Sequence, residues 1–319
     1  MQRFRNILVG VDLTSGDRLA SEHLCSPTRT AVDRAIALAE RTSARLTFFT
    51  AIEISVHAHE LLDHDPSSAT ETVRQAAHAV LQGLVDEASK RGVEATFHLA
   101  WGRDWLEIIR QVIRGEHDLV IVGAGRHGAA SRLLFGSAGM KLFRKCPTPV
   151  WIPKTEPHPQ ITNILVASDL SEVAQDALDL TVSGGQLVDA RIVLLHAIES
   201  AKFDPHVAHM GIADEALEEH HQKLVRRAEE TLREQLAATD HHTLTKPVEI
   251  EVVDGPAEKA ILEAIDRHEI DLLVMGTITK GGITGLLLGS TAEHLLPRVP
   301  CSALVIKPHD FVSPVTLGD

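Results

Sequence analysis

Between Met275 and Ala292 the chain reads Met275-Gly276-Thr277-Ile278-Thr279-Lys280-Gly281-Gly282, and then Gly289-Ser290-Thr291-Ala292. Glycines let a backbone curl close to a ligand where a Cβ would obstruct it. A helix opening at Gly289-Ser290 would present unpaired N–H groups at a positive dipole end, which together make an anion site. Ser290 or Thr291 is the expected N-cap. A purely structural role, in which Gly and Ser turn the backbone and cap the helix, uses the same residues and stays open.

Other glycine-rich stretches carry weaker chemistry. Gly123-Ala124-Gly125-Arg126-His127-Gly128 has dinucleotide spacing, but it follows a fourth strand rather than a first, and its second-half counterpart lacks the pattern. Ser183-Gly184-Gly185 follows a helical stretch and is expected to end that helix. No glycine loop runs into Gly-Lys-Ser/Thr, which excludes a Walker-type ATPase. Histidines 57, 59, 64, 220, 221, 241 and 242 lie in polar stretches without the spacing of a zinc hydrolase, so solvated surface is expected and no metal site. His196 ends an apolar run and is expected to be a hydrogen-bonded core residue.

The elements that must position the loop come in two copies. Asn6-Ile7-Leu8-Val9, ending in Asp12, recurs as Asn163-Ile164-Leu165-Val166, ending in Asp169. Asp118-Leu119-Val120-Ile121-Val122-Gly123 recurs as Asp271-Leu272-Leu273-Val274-Met275-Gly276, and Gly136-Ser137 as Gly289-Ser290. A period this long marks a duplicated domain rather than a solenoid repeat. The expected boundaries are residues 1–154, a proline-containing linker at 155–160, and residues 161–319. In each half, short runs apolar on both faces alternate with amphipathic stretches. That pattern predicts an α/β fold with five parallel strands covered by helices, flavodoxin-like or Rossmann-like. Such sheets bind ligands beyond the carboxyl ends of their strands, where the strand order reverses.

Composition narrows the partners. Thirty-one Lys and Arg against 44 Asp and Glu give a formal net charge of −13, and aromatic residues make up 3% with no Tyr. That balance repels phosphate backbones and removes stacking platforms, so nucleic acid is not an expected partner. No segment approaches the roughly 20 apolar residues of a membrane span. The apolar run from Ile7 stops at Asp12, short of a signal sequence of about 7–15 apolar residues. Three scattered cysteines suit a reducing compartment, and the expectation is a cytoplasmic protein.

Each half resembles the universal stress protein family. After strand four that family shows Gly, two residues, Gly, nine residues, Gly, then Ser or Thr; its strand-one ending, Leu195-His196-Ala197 after strand two, and the closing Pro149-Val150-Trp151-Ile152 and Ala303-Leu304-Val305-Ile306 strands match as well. The resemblance spans nearly the whole sequence and implies a tandem member. In the family's nucleotide-binding branch it implies ATP, with or without Mg2+, as the ligand. The strand-one acid then touches the adenosine part, and the glycine loop and Gly-Ser pair hold the phosphates. In the second half this assigns Ala167, Ser168, Asp169, Ala197, Met275, Gly276, Gly289, Ser290 and Thr291. Thr279 stands where the second Gly belongs. In the first half it assigns Asp12, Gly123, Gly136 and Ser137, with Arg126 in the second-Gly place and Gly139 further into the helix. Arg126 either fills the phosphate space or replaces lost backbone donors.

The expected function is therefore a stress-response protein binding an adenine nucleotide, chiefly in the second half, and not primarily a catalyst. The alternative is an interaction or small-ligand module with degenerate phosphate loops, lidded by the long second helix of each half with its preceding loop, residues 53–68 and 199–214. The resemblance further implies an intrachain pseudo-dimer through the last strands of the two halves, and leaves a homodimer open.

Overall fold

The computed structural model describes residues 4–14, 20–21, 23–53, 69–125, 135–155, 160–199, 214–277 and 288–317. It divides into two compact units. One takes in residues 4–155 together with 311–317, the other residues 160–310 apart from the gaps just given.

In the first unit the order is β1 (Asn6–Gly10), α1 (Ser26–Thr42), β2 (Arg45–Ile52), α2 (Ala69–Lys90), β3 (Ala95–Trp101), α3 (Asp104–Gly115), β4 (Leu119–Val122), α4 (Gly136–Lys145) and β5 (Val150–Ile152). The strands lie in the order β3-β2-β1-β4-β5, every neighbour parallel. Ile7, Leu8, Val9, Val120 and Ile121 are completely buried, as strands covered on both faces must be. Arg29 joins α1 to α2 through Glu87, and α3 packs beside α4.

The second unit repeats this plan with β6 (Asn163–Ala167), α5 (Glu172–Val188), β7 (Arg191–Ile198), α6 (Asp214–Ala237), β8 (Glu249–Asp254), α7 (Ala257–Arg267), β9 (Leu272–Gly276), α8 (Ser290–Leu295) and β10 (Ser302–Ile306). Its order is β8-β7-β6-β9-β10, again all parallel. Both units are thus flavodoxin-like α/β folds whose strand order reverses between the first and fourth strands. The repeated Asn and Asp have a local cause. Asp118 accepts from the amides of Arg5 and Asn6 at 2.7 and 3.1 Å, and Asn6 Nδ2 donates to the Gly115 carbonyl at 2.7 Å. Asp271 accepts from Thr162 and Asn163 at 2.8 and 3.0 Å in the same way, so one latch aligns the first and fourth strands of each unit.

Two local expectations are corrected. Gly184 and Gly185 do not end α5. The helix runs on to Val188 and closes at Asp189 in the left-handed region, φ 52°. Asp tolerates that conformation through local hydrogen bonding. Gly185 instead lets the helix approach β7, since a Cβ there would stand 3.0 Å from Ile192 Cδ1. The N-cap of α8 is neither Ser290 nor Thr291 but Gly289, φ −55° and ψ 146°, with no side chain to bond the first turn.

Candidate functional site

At the switch point of the second unit, β6 gives way to a tightly bonded turn. The Ser168 amide donates to the Leu195 carbonyl at 2.8 Å, extending the ladder by one residue. Ser168 Oγ accepts from the Leu170 amide at 3.0 Å and Asp169 Oδ1 from the Ser171 amide at 3.0 Å. Ser171 Oγ then caps α5 by accepting from the Ala174 amide at 3.3 Å. These bonds hold Leu170 at φ 64°, a left-handed conformation that costs a non-glycine residue about 1–2 kcal/mol. Asp169 is left at the exposed end of the strand. His196 Nδ1 lies 2.8 Å from the Ser168 carbonyl. A carbonyl only accepts, so Nδ1 carries the hydrogen and donates.

Across the crevice β9 ends at Gly276. A Cβ on Gly276 would stand 2.8 Å from Val173 Cγ1, so this glycine is needed to seat the first turn of α5 against the strand end. Thr277 follows, fully buried, its amide and Oγ1 both donating to the Ile306 carbonyl at 3.1 and 3.3 Å. Its own carbonyl accepts from the Gly289 amide at 2.5 Å. The Gly289 amide, expected to be bare, is thus committed inside the protein. With Gly289 as N-cap, the amides of Ser290, Thr291 and Ala292 have no side-chain cap, and they carry the helix's positive end.

These segments enclose a cavity of about 120 Å³. Of the expected residues, Ala167, Ser168, Asp169, Ala197, Met275, Gly276, Gly289 and Thr291 line it together. Ser290 begins α8 as an exposed residue outside that lining, and Thr279 lies outside the described residues. Sequence reasoning missed Ala257 and Ile261, which stand one turn apart on α7, as well as Leu195, Thr277 and Ala292. Their apolar spacing on α7 was the available signal. His196 is hydrogen-bonded as expected, but it is half-buried and also faces the cavity. The wall is mostly apolar, with Asp169 at one end and uncapped amides at the other. That arrangement can receive a flat apolar group, accept hydrogen bonds from hydroxyls and hold an anion.

The first unit places its counterparts differently. Asp12 Oδ1 accepts from the amide and hydroxyl of Thr14 at 2.9 and 2.6 Å, again as an exposed strand-end acid. Between Asp12 and α1, however, the connection is far longer than that between Asp169 and α5. Its Leu13 and Ser21 are buried and tied by a 2.8 Å bond from the Ser21 amide to the Leu13 carbonyl. Gly123 is pressed against the start of α1: a Cβ there would stand 2.7 Å from both atoms of the Pro27 carbonyl group. Gly136 adopts φ 60°, unlike Gly289, and Ser137 is exposed. Gly139 is buried against Ile152. Arg126 and residues 54–68 and 200–213 of the expected lids lie outside the described residues.

A family model described as the universal stress protein family matches the sequence twice, at residues 3–154 and 160–307. Universal stress protein E of Escherichia coli strain K12 is 28% identical over 342 aligned positions, covering 100% of this chain and 99% of that protein. Universal stress protein E of Photorhabdus laumondii is 25% identical, covering 99% and 98%. Among solved structures, a putative universal stress protein from Pseudomonas aeruginosa UCBPP-PA14 superposes with a TM-score of 0.68 at 21% identity, covering 97% of this chain and 95% of that one. One from Archaeoglobus fulgidus gives 0.62 at 18% identity, covering 95% and 98%. At those identities the structural likeness concerns the fold.

Proposed function

The chain belongs to the universal stress protein family as a tandem member, and from that premise we propose that the crevice of its second unit binds an adenine nucleotide, ATP with or without Mg2+. The observation that carries this reading is the single cavity that gathers Asp169, Ala197, Gly276, Gly289 and Thr291 from four separate segments. The apolar wall of Ala197, Ala257 and Ile261 suits a purine. Asp169 is placed to accept from ribose hydroxyls while its Oδ1 keeps the Ser171 amide. The uncapped amides of α8 would face the phosphates, and the ligand itself would supply the charge that a metal ion neutralises. Binding is read out through conformation or partners rather than turnover. Cys25, Cys146 and Cys301 are few and far apart in the sequence, which suits a reducing, cytoplasmic setting.

A second reading has its own observation. The cavity of about 120 Å³ is smaller than the roughly 300–1,000 Å³ of typical small-molecule sites. The crevice could then serve a smaller ligand or act only as part of an interaction module. Calorimetric titration of the full-length protein with ATP, with and without Mg2+, separates the two. Saturable binding that weakens at least about tenfold in Asp169→Asn, the size of one charged hydrogen bond, supports the nucleotide. Asn keeps the Oδ1 acceptor for Ser171, so the turn survives. Asp12→Asn is expected to leave affinity unchanged. No heat at millimolar ATP favours the second reading.

A further inference from the structure

At the other end of the first sheet, where β1, β2 and β4 begin, an open cavity of about 210 Å³ is lined by Arg45, Thr96, His98, Gln111 and His117 among others. His117 is its unusual member. It is 6% exposed, and among the described residues neither ring nitrogen makes a hydrogen bond of good geometry. Its neighbour Gly115 makes the room, since a Cβ there would stand 2.6 Å from His117 Nε2.

The duplicated half provides an internal comparison. Strand register puts Arg191 at the position of Arg45, Glu249 at that of Thr96 and Glu251 at that of His98. There the protein fills the place itself. Arg191 pairs with Glu249, His268 Nε2 lies 2.7 Å from Glu251 Oε1, and Arg267 reaches Glu251 at 3.1 Å. Ile270, directly before the latching Asp271 as His117 is before Asp118, is an ordinary buried aliphatic. The first half keeps the arginine, loses both carboxylates, and replaces the aliphatic with a buried imidazole that bonds no side chain among the described residues.

We infer that this cavity binds an oxyanion, the carboxylate or phosphate group of a small ligand, which takes the place that Glu249 and Glu251 fill in the second half. Arg45, exposed and without an ion pair among the described residues, supplies the charge. Thr96 and Gln111 supply neutral donors, and His117 forms part of the buried wall beneath them. Glu94 borders the same cavity and repels the ligand, which limits the charge the site can hold. A cation fits less well. Among the described residues the cluster with metal-ligand spacing is Glu249, Glu251 and His268, already in contact with arginines, and no such cluster forms around His117. The inference does not rest on the nucleotide reading, which concerns the other unit.

The test is an NMR titration of the full-length protein, with labelled histidine rings, using inorganic phosphate in one arm and succinate in the other. The expected result is saturable shifts at the His117 and His98 resonances, with affinity reduced about tenfold or more in Arg45→Ala. Arg191→Ala, the same change at the filled site, is expected to leave those shifts in place. A response to one anion alone supports the site and identifies which group it takes. No saturable shift with either anion overturns the proposal, as do shifts that persist with unchanged affinity in Arg45→Ala.

Discussion

The amide of Gly289 donates to the carbonyl oxygen of Thr277 at 2.5 Å, clasping the start of α8 to the end of β9. An alanine at position 289 could adopt the backbone angles, but its Cβ would stand 3.0 Å from that same carbonyl oxygen. Gly289→Ala is therefore expected to lower stability by on the order of 1 kcal/mol, the usual scale for a disturbed N-cap. Ser290→Ala, on the exposed first turn, is expected to stay within about 0.5 kcal/mol. Urea unfolding of both variants checks this, and an unchanged midpoint for Gly289→Ala would show that the clasp does not form.

Gly276 and Gly123 stand at equivalent strand ends but are crowded by different things. The obstacle at Gly276 is the Val173 side chain, whereas at Gly123 it is the Pro27 backbone. Gly276→Ala is expected to cost about 1–3 kcal/mol, and trimming Val173 to Ala in the same protein to recover part of that through a favourable coupling. Gly123→Ala has no side chain to trim and is expected to cost more. A double-mutant cycle in urea measures the coupling, and additive effects at Gly276 and Val173 would contradict the packing role.

The sheet was legible because buried parallel strands are apolar on both faces, and Ile7–Val9 and Ile164–Val166 advertise that over a few residues. The strand-end acids and the first glycine of each loop were legible from the repeat. What depends on contacts between distant segments was not. Whether Gly289 or Ser290 caps α8 depends on a backbone bond to Thr277, and Gly185 lies inside a helix because Ile192 sits opposite. The α7 wall of the cavity, Ala257 and Ile261, requires knowing which face of that helix meets β7 and β6. The Arg45 cavity was invisible to a motif search because it is defined by carboxylates the first half lacks.

Leu170 sits beside Asp169 with φ 64°. In ordinary backbone, glycine is less stable than alanine by about 0.5–1 kcal/mol because of its greater freedom when unfolded. A left-handed position removes about 1–2 kcal/mol of strain for glycine alone. Leu170→Gly is therefore expected to be the more stable of the pair Leu170→Gly and Leu170→Ala, reversing the usual order. Comparing their thermal midpoints decides it, and the normal order would mean that the turn relaxes out of the left-handed region.

Burial holds His117 below the ordinary imidazole value of 6.5, against weaker opposing effects of the Asn6 backbone and Asp118. The unfolded protein thus binds a proton at higher pH than the folded one does. By linkage, stability rises with pH across that interval. The contribution from neutral His117 is intact above about pH 6.5 and is lost as the pH falls from there towards the folded value. His117→Ile copies the second half, where Ile270 occupies this place, and removes both the unpaired nitrogens and the proton uptake. It is expected to stabilise the protein by about 1–3 kcal/mol, the cost of leaving a buried polar group unsatisfied. The gain should be larger near pH 5 than near pH 8, the range over which histidine changes charge. Urea unfolding of both proteins at the two pH values measures the difference. A gain that is the same at both, or a loss at both, would show that water or another partner already satisfies the ring.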